Sequence, residues 1–401
     1  MRILIHDYSG HPFQVQLSRH LAAWGHGVRH AYSAAVETPR GPLTPAPDDP
    51  PTFDIVSLAV GQTLAKYQPA KRLRQEIGYA RELAQQIRDL RPDVVLSGNC
   101  NPVIQRRAAK SAHRIGAGFV TWLQDLYAPA LRDALEQRGG RLAGVVAPVA
   151  ERVEAAALRA SDMVVPVAPA FADAALAAGL DPGRVRIIPN WAPPLDAPAD
   201  AGAGWRARHG LEGCFIFLYA GTLGQKHDPE MIAGLARHMR GDPEAAVVVA
   251  SQGPGRAHLE RVRAREDLRN LVLLDFLPYA ELPEALAAAD VLLSVLSAEG
   301  GRYAVPSKIL TAMRAGRPVL AAMPADNEAS TTLATAEAGV VVRPDDAQTW
   351  CRQAERLRGD AGLRTRLGAN GARHAETHFD IDRIAETFVD VLARARVSAP
   401  R

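Results

Sequence analysis

The sequence predicts an α/β protein built from two doubly wound halves, and three observations carry that expectation. Short runs of Val, Ile and Leu alternate with helix-length segments along the whole chain, the pattern of parallel strands buried on both faces and joined by crossover helices. The chain has 401 residues, which at about 100–200 residues per domain implies more than one hydrophobic core. The stretch Trp191–Gly204, WAPPLDAPADAGAG, is rich in Pro, Ala and Gly and follows neither period, so it divides the alternation in two.

In the first half, Arg2–His6 is expected as a strand, followed by a helix from about Phe13 to Trp24 and a strand at Gly27–Tyr32. Glu37–Thr52, ETPRGPLTPAPDDPPT, reads as a long loop of the kind that is often functional. Further strands are expected at Asp54–Leu58, Asp93–Ser97, Gly118–Trp122, Met163–Val167 and Val185–Ile188. A helix over Lys71–Arg91 sets Lys71, Arg72, Arg74, Arg81, Arg88 and Arg91 among apolar residues; it suits a solvated face and also peripheral contact with anionic lipid. The second half restarts with strands at Phe215–Tyr219, Ala245–Ala250, Leu271–Leu274, Val291–Val295, Pro318–Ala322 and Gly339–Val342. Helices near Gln348–Arg358 and Ala361–Thr377 and an amphipathic one from Asp380 to about Arg394 close the chain. The expected domains are therefore residues 1–190, a linker at 191–204, residues 205–377 and a terminal helical segment at 378–401.

Composition narrows the function classes. Apolar residues make up 47% and charged residues 23%, a folded, water-soluble balance. Lys plus Arg (47) against Asp plus Glu (44) leaves +3, too little for a dedicated nucleic-acid binder. Cys100, Cys214 and Cys351 are scattered, with no CxxC pair, and fit a reducing cytoplasm. The opening MRILIHDYSG is too short an apolar run for a signal peptide, and no stretch approaches the roughly 18 apolar residues of a membrane span.

Chemistry is expected at the strand-to-helix turns, where open α/β sheets bind ligands. After the first strand of the second half come Gly221, Thr222, Gly224, Lys226, His227 and then Asp228-Pro229, a helix cap followed by a first-position proline. Lys226 thus precedes a helix N-terminus, an anion site. Neither GxxxxGK[ST] nor GxGxxG is present. A second basic entrance, Glu299-Gly300-Gly301-Arg302-Tyr303 running to Pro306-Ser307-Lys308, puts Lys308 in the first turn of a helix, the unfavourable end for a cation unless an anion binds there. Two such entrances suggest a diphosphate. In the first half, Gly10, His11, Phe13 and Gln14 follow the first strand, and Asp125 follows a later one; His11 and Asp125 suit acid–base or hydroxyl contacts. Asp380-Ile381-Asp382 reads as a helix cap rather than a metal-binding DxD, and His374 with His378 lacks a third ligand, so no metal site is expected.

Taken in chain order, Gly25-His26-Gly27-Val28, Ala160 to Val165, Ile187 to Trp191, Ala220-Gly221-Thr222 with Lys226, and Ala288 to Val291 resemble the retaining family 4 glycosyltransferases of the GT-B fold. Val305-Pro306-Ser307-Lys308 with Ala315 to Val319 is similar to the fucosaminyltransferase-like subgroup of bacterial surface-polysaccharide assembly.

That resemblance implies two Rossmann-like doubly wound domains facing a central cleft, with the C-terminal helix at 378–401 crossing back to the first domain. It further implies a nucleotide-diphosphate sugar, UDP-linked, held mainly by the second domain, and a glycan, lipid-linked or small-molecule acceptor held by the first. Lys226, Lys308, Asp125 and His11 would be catalytic. Gly221, Thr222, Gly224, Asn190, Leu277, Glu299, Gly300, Gly301, Arg302, Tyr303, Ser307 and Glu328 would bind the donor, and Gly10, His11, Phe13 and Gln14 would line the acceptor side. No cofactor and no metal is implied. Two features depart from the family pattern: Thr222 stands where an Arg is usual, and Tyr303 and Thr311 stand where the two acidic residues of the Glu-x7-Glu motif fall. A nonhydrolysing nucleotide-sugar epimerase and a catalytically inactive sugar-nucleotide-binding partner stay open as alternatives.

Overall fold

The computed structural model describes residues 1–35, 42–58, 69–98, 100–136, 143–192, 195, 198, 200–298 and 308–398. It divides into two compact units, Met1–Asn190 with Ile381–Arg401, and Trp191–Asp380.

The first unit runs β1 (Arg2–Asp7), α1 (Pro12–Ala23), β2 (Gly27–Ser33), β3 (Phe53–Leu58), α2 (Pro69–Leu90), β4 (Val94–Gly98), α3 (Pro102–His113), β5 (Gly118–Leu123), α4 (Tyr127–Glu136), α5 (Ala143–Arg159), β6 (Met163–Pro166) and α6 (Pro169–Ala177). Its strands lie all parallel in the order β3-β2-β1-β4-β5-β6. The second unit runs α7 (Ala201–Arg208), β7 (Phe215–Ala220), α8 (Pro229–His238), β8 (Ala245–Ala250), α9 (Pro254–Glu266), β9 (Leu271–Leu274), α10 (Leu282–Ala288), β10 (Val291–Val295), α11 (Lys308–Arg314), β11 (Val319–Ala322), α12 (Glu328–Thr335), β12 (Gly339–Val342), α13 (Ala347–Gly359) and α14 (Ala361–His378). Its parallel order is β12-β11-β10-β7-β8-β9. α15 (Ile381–Ser398) belongs to the first unit, where Phe388 is buried against the Trp122 ring of β5 at 4.8 Å.

Strands β4, β5, β6, β8, β10 and β11 are buried at every position, as near-continuous apolar runs covered on both faces must be. Each sheet switches direction beside its first strand: β1 lies between β2 and β4, and β7 lies between β10 and β8. Such switch points open a crevice at the carboxyl ends of the strands.

Two expectations are corrected. Val185–Ile188 is not a strand; Val185 makes one isolated bridge to Val164, and Arg186 and Ile188 donate their N–H groups to the carbonyls of Val164 and Pro166. The ladder stops there because Pro166 has no N–H to return. The segment 191–204 is not linker throughout: Ala201–Gly204 opens α7, whose fully buried Trp205 donates its indole N–H to Glu281 at 3.0 Å. Burial of that single large side chain overrides the poor helix propensity of the glycines.

Two aspartates from the family-like segments turn out to be strand locks. Asp162, before β6, accepts from Phe119 N at 2.7 Å and from His113 Nε2 at 2.9 Å. Asp290, before β10, likewise accepts from Ile216 N and from Arg206, each at 2.8 Å. Both satisfy the first free N–H of a neighbouring strand with a charge-assisted bond.

Candidate functional site

In the second unit the switch point is lined by the turns after β7 and β10. Gly221 leaves β7 with φ of 134°, a conformation closed to other residues, and a Cβ there would sit 3.5 Å from Lys308 Nζ. Lys308, the first residue of α11, reaches back across the turn and donates to Tyr219 Oη at 2.5 Å, with Nζ 4.0 Å from the ring centroid. Tyr219 Oη in turn donates to Thr222 O at 3.0 Å. One phenol thus ties the glycine turn to the lysine that follows the other side of the switch.

Burial pushes the Lys308 ammonium down to about 7, and among the described residues no carboxylate pairs with it. His227 completes the cluster. Its ring meets Tyr219 edge-on at 6.3 Å, and its buried Nδ1 has no hydrogen-bond partner among the described residues. Burial, reinforced by the Lys308 charge and more weakly by that of Lys226, drives the His227 imidazole down to about 3, so it stays neutral. Lys226 is fixed through its backbone, its carbonyl accepting from Ser297 N at 2.9 Å. Asp228 caps α8 by accepting from Glu230 N at 2.9 Å. The result is a glycine turn, two ammonium groups and a helix N-terminus on one side of the sheet, suited to an anion with more than one charge.

Gly221, Thr222, Gly224, Lys226 and Lys308 are therefore brought together. Leu277 instead packs, partly buried, on the apolar cluster that also holds Leu218 and Leu292. Glu328 stands in the first turn of α12. Glu299, Gly300, Gly301, Arg302, Tyr303 and Ser307 lie outside the described residues.

In the first unit, Gly10 (φ 76°) leads into α1, where His11 occupies the cap position without using its side chain as a cap. The His11 ring stacks on Phe13 at 5.6 Å, and Phe13 meets Trp122 edge-on at 5.9 Å. Burial lowers the His11 pKa, and the Asp125 carboxylate works against that shift. Gln14 is fully buried, its amide nitrogen so close to Gly98 that a Cβ on that residue would fall 2.5 Å from it. Asn190 exchanges two amide hydrogen bonds with Gln124, at 3.0 and 3.1 Å, at the end of the first unit. Deeper in, neutral His6 bridges Ser97 and Tyr79, and burial raises the Cys100 thiol to about 12, leaving it unreactive.

Sequence reasoning missed Tyr219, His227, Gly98 and Gln124. Tyr219 carried a signal in retrospect, a single hydroxyl at the end of an aliphatic strand directly before a glycine turn. Of the weaker patterns, Asp382 pairs with His20 at 2.7 Å and the His374 and His378 rings stack at 4.1 Å. Among the described residues no group of three His, Cys, Asp or Glu is placed to hold a metal. On α2, Arg72 turns onto the buried Glu76 at 2.9 Å. No helix among the described residues is long and apolar enough to cross a membrane.

Residues 11–191 match the glycosyl transferase 4-like domain, and residues 215–360 match the glycosyl transferases group 1 domain. The chain is a GT-B protein of two glycosyltransferase-family domains. This GT-B chain is 28% identical over 210 residues to a colanic acid biosynthesis glycosyl transferase of Escherichia coli (strain K12), covering 50% of each. It spans about half the length of the curated relatives it matches. Among solved structures it is similar to the sucrose-phosphate synthase of Thermosynechococcus elongatus, with TM-score 0.74, 20% identity and full coverage of both chains. It is also similar to HepE of Anabaena in complex with UDP, with TM-score 0.69 and 16% identity over 98% of this chain and 100% of that one. The group 1 match contains the glycine turn from Gly221 to Lys226 and Lys308.

Proposed function

We propose that the protein is a retaining glycosyltransferase of the family 4 type. It takes a UDP-linked sugar and passes a hexose or N-acetylhexosamine-type unit to a glycan, lipid-linked or small-molecule acceptor. The observation that carries this reading is Lys308, a partly buried ammonium with no carboxylate partner among the described residues, held by Tyr219 against the glycine turn after β7. A diphosphate supplies the missing counter-charge. HepE, bound to UDP in its own structure, supports a uridine nucleotide, and the colanic acid relative supports surface-polysaccharide assembly.

In this reading Lys226 and Lys308, with the N-terminus of α8, stabilise the departing diphosphate, the kind of preorganised charge worth about 2.7–4 kcal/mol per donor. Transfer proceeds on the front face through an oxocarbenium-like transition state, the leaving phosphate taking the proton of the acceptor hydroxyl. Asp125 and His11 orient the acceptor. Two ammonium groups supply the charge that a metal would otherwise bring, so the reaction is proposed to run without one.

A mass-spectrometric screen of nucleotide sugars against the purified protein is expected to find one UDP-sugar retained and its sugar transferred to an added acceptor. Lys226→Ala should lower kcat/KM by roughly 100-fold or more at unchanged fold. Unchanged kinetics would remove Lys226 from the site, epimerised nucleotide sugar without transfer would overturn the transferase reading, and activity lost in EDTA but restored by Mg²⁺ would overturn the metal-free one.

A further inference from the structure

A groove of about 1180 Å³ opens in the first unit at the starts of β5 and β6, the opposite end of the sheet from Gly10, His11 and Asp125. Arg106, Lys110 and Arg114 line it, together with Arg159, Arg184 and Arg394 of α15. Asp162 is the one carboxylate among these lining residues, and it is already engaged by His113 Nε2 and Phe119 N. Arg159 donates to Ala178 O at 2.6 Å, and Arg184 donates to the carbonyls of Arg159 and Asp162 at 3.2 Å each. Carbonyl partners orient a guanidinium but leave its charge uncompensated.

Helix termini account for part of this arrangement, since Lys110 and His113 sit in the last turn of α3, where the dipole favours cations. They do not account for all of it. Arg106 stands a full turn before the last turn of α3, out of the dipole's reach, and it lines the groove with Lys110 and Arg114 at four-residue intervals. Three cations so spaced form one exposed row about 12 Å long, each step rising about 6 Å. Val397, 86% exposed, adds apolar surface to the groove.

We propose that this groove binds a multiply charged phosphate group, carried either by a free polyphosphate or by a lipid headgroup. A concave row of cations concentrates a polyanion, and the guanidinium forks match phosphate oxygens two at a time. Neither the glycine turn after β7 nor Lys308 takes part, so the site stands or falls apart from the donor site.

The test is titration of tripolyphosphate into the full chain, compared with the triple variant R106S/K110S/R114S and with Lys226→Ala. The triple variant should lose binding by roughly tenfold or more, as loss of charge-assisted hydrogen bonds implies, while Lys226→Ala retains that binding event. The single variant Lys110→Glu, exposed on α3, should weaken it in the same direction and guards against misfolding of the triple variant. Sedimentation with phosphatidylcholine vesicles, with and without phosphatidic acid, separates the two sources: phosphatidate-dependent binding lost in the variants assigns a lipid headgroup, and tripolyphosphate binding alone assigns a free phosphate. Binding to neither probe, or binding equal in wild type and variants, overturns the site.

Discussion

Lys308 illustrates how one side chain can couple ligand and proton. With its ammonium pushed down to about 7 by burial, the free protein near neutrality holds a mixture of charged and neutral forms. A diphosphate bound as proposed would favour the charged form, so its binding would raise this pKa and draw a proton in from solution above pH 7. UDP affinity should therefore be nearly constant below about pH 7 and fall by about tenfold per pH unit above it, until the pKa of the complex is passed. Calorimetry at several pH values in buffers of different ionisation enthalpy checks both the slope and the proton uptake; Lys308→Met should bind weakly and without that slope. Tyr219→Phe removes the acceptor of the Lys308 bond and the donor to Thr222 O while keeping the ring in the core. It should weaken UDP binding by about 2- to 10-fold, the net worth of a hydrogen bond. An unchanged isotherm would show that the phenol positions nothing.

At the level of elements, buried strands were legible because an apolar run bounded by turn residues has few alternatives. Ala245–Ala250, Leu271–Leu274, Val291–Val295 and Gly339–Val342 appear with the bounds their hydrophobicity marks. Val185–Ile188 shows the limit, since its hydrophobicity says nothing of whether the neighbouring strand can return a hydrogen bond, and Pro166 cannot. The candidate site was legible to the same degree. Its glycines and lysines are visible before helix starts, whereas Tyr219 reads only as one more buried strand residue and the strand order that makes β7 and β10 neighbours is not written in any local pattern. Close approach is equally hidden: a Cβ on Gly118, at the start of β5, would fall 2.6 Å from the backbone of Ala395 on α15. Gly118→Val should force that helix away and cost about 1–3 kcal/mol, the usual price of overpacking, read as a lower midpoint in urea denaturation. An unshifted midpoint would mean that α15 moves freely at this contact.

For the whole molecule, chain order and structural unit part company after Asp380. The last helix is made after the second unit in sequence, yet Ile384, Phe388, Val391, Leu392 and Ala395 are buried in the first. The first unit thus closes on residues that follow Asn190 by about 190 positions, a non-local closure of the kind that slows assembly more than it lowers final stability. The consequence is directional. Phe388→Ala opens a cavity beside Trp122 and should cost about 3–5 kcal/mol. Hydrogen exchange followed by mass spectrometry should then show faster exchange in β4, β5 and α1, which contact α15, and unchanged protection in β7, β8 and β10. Loss of protection in the second-unit strands instead would show that the helix stabilises the unit it follows in sequence and not the one that buries it.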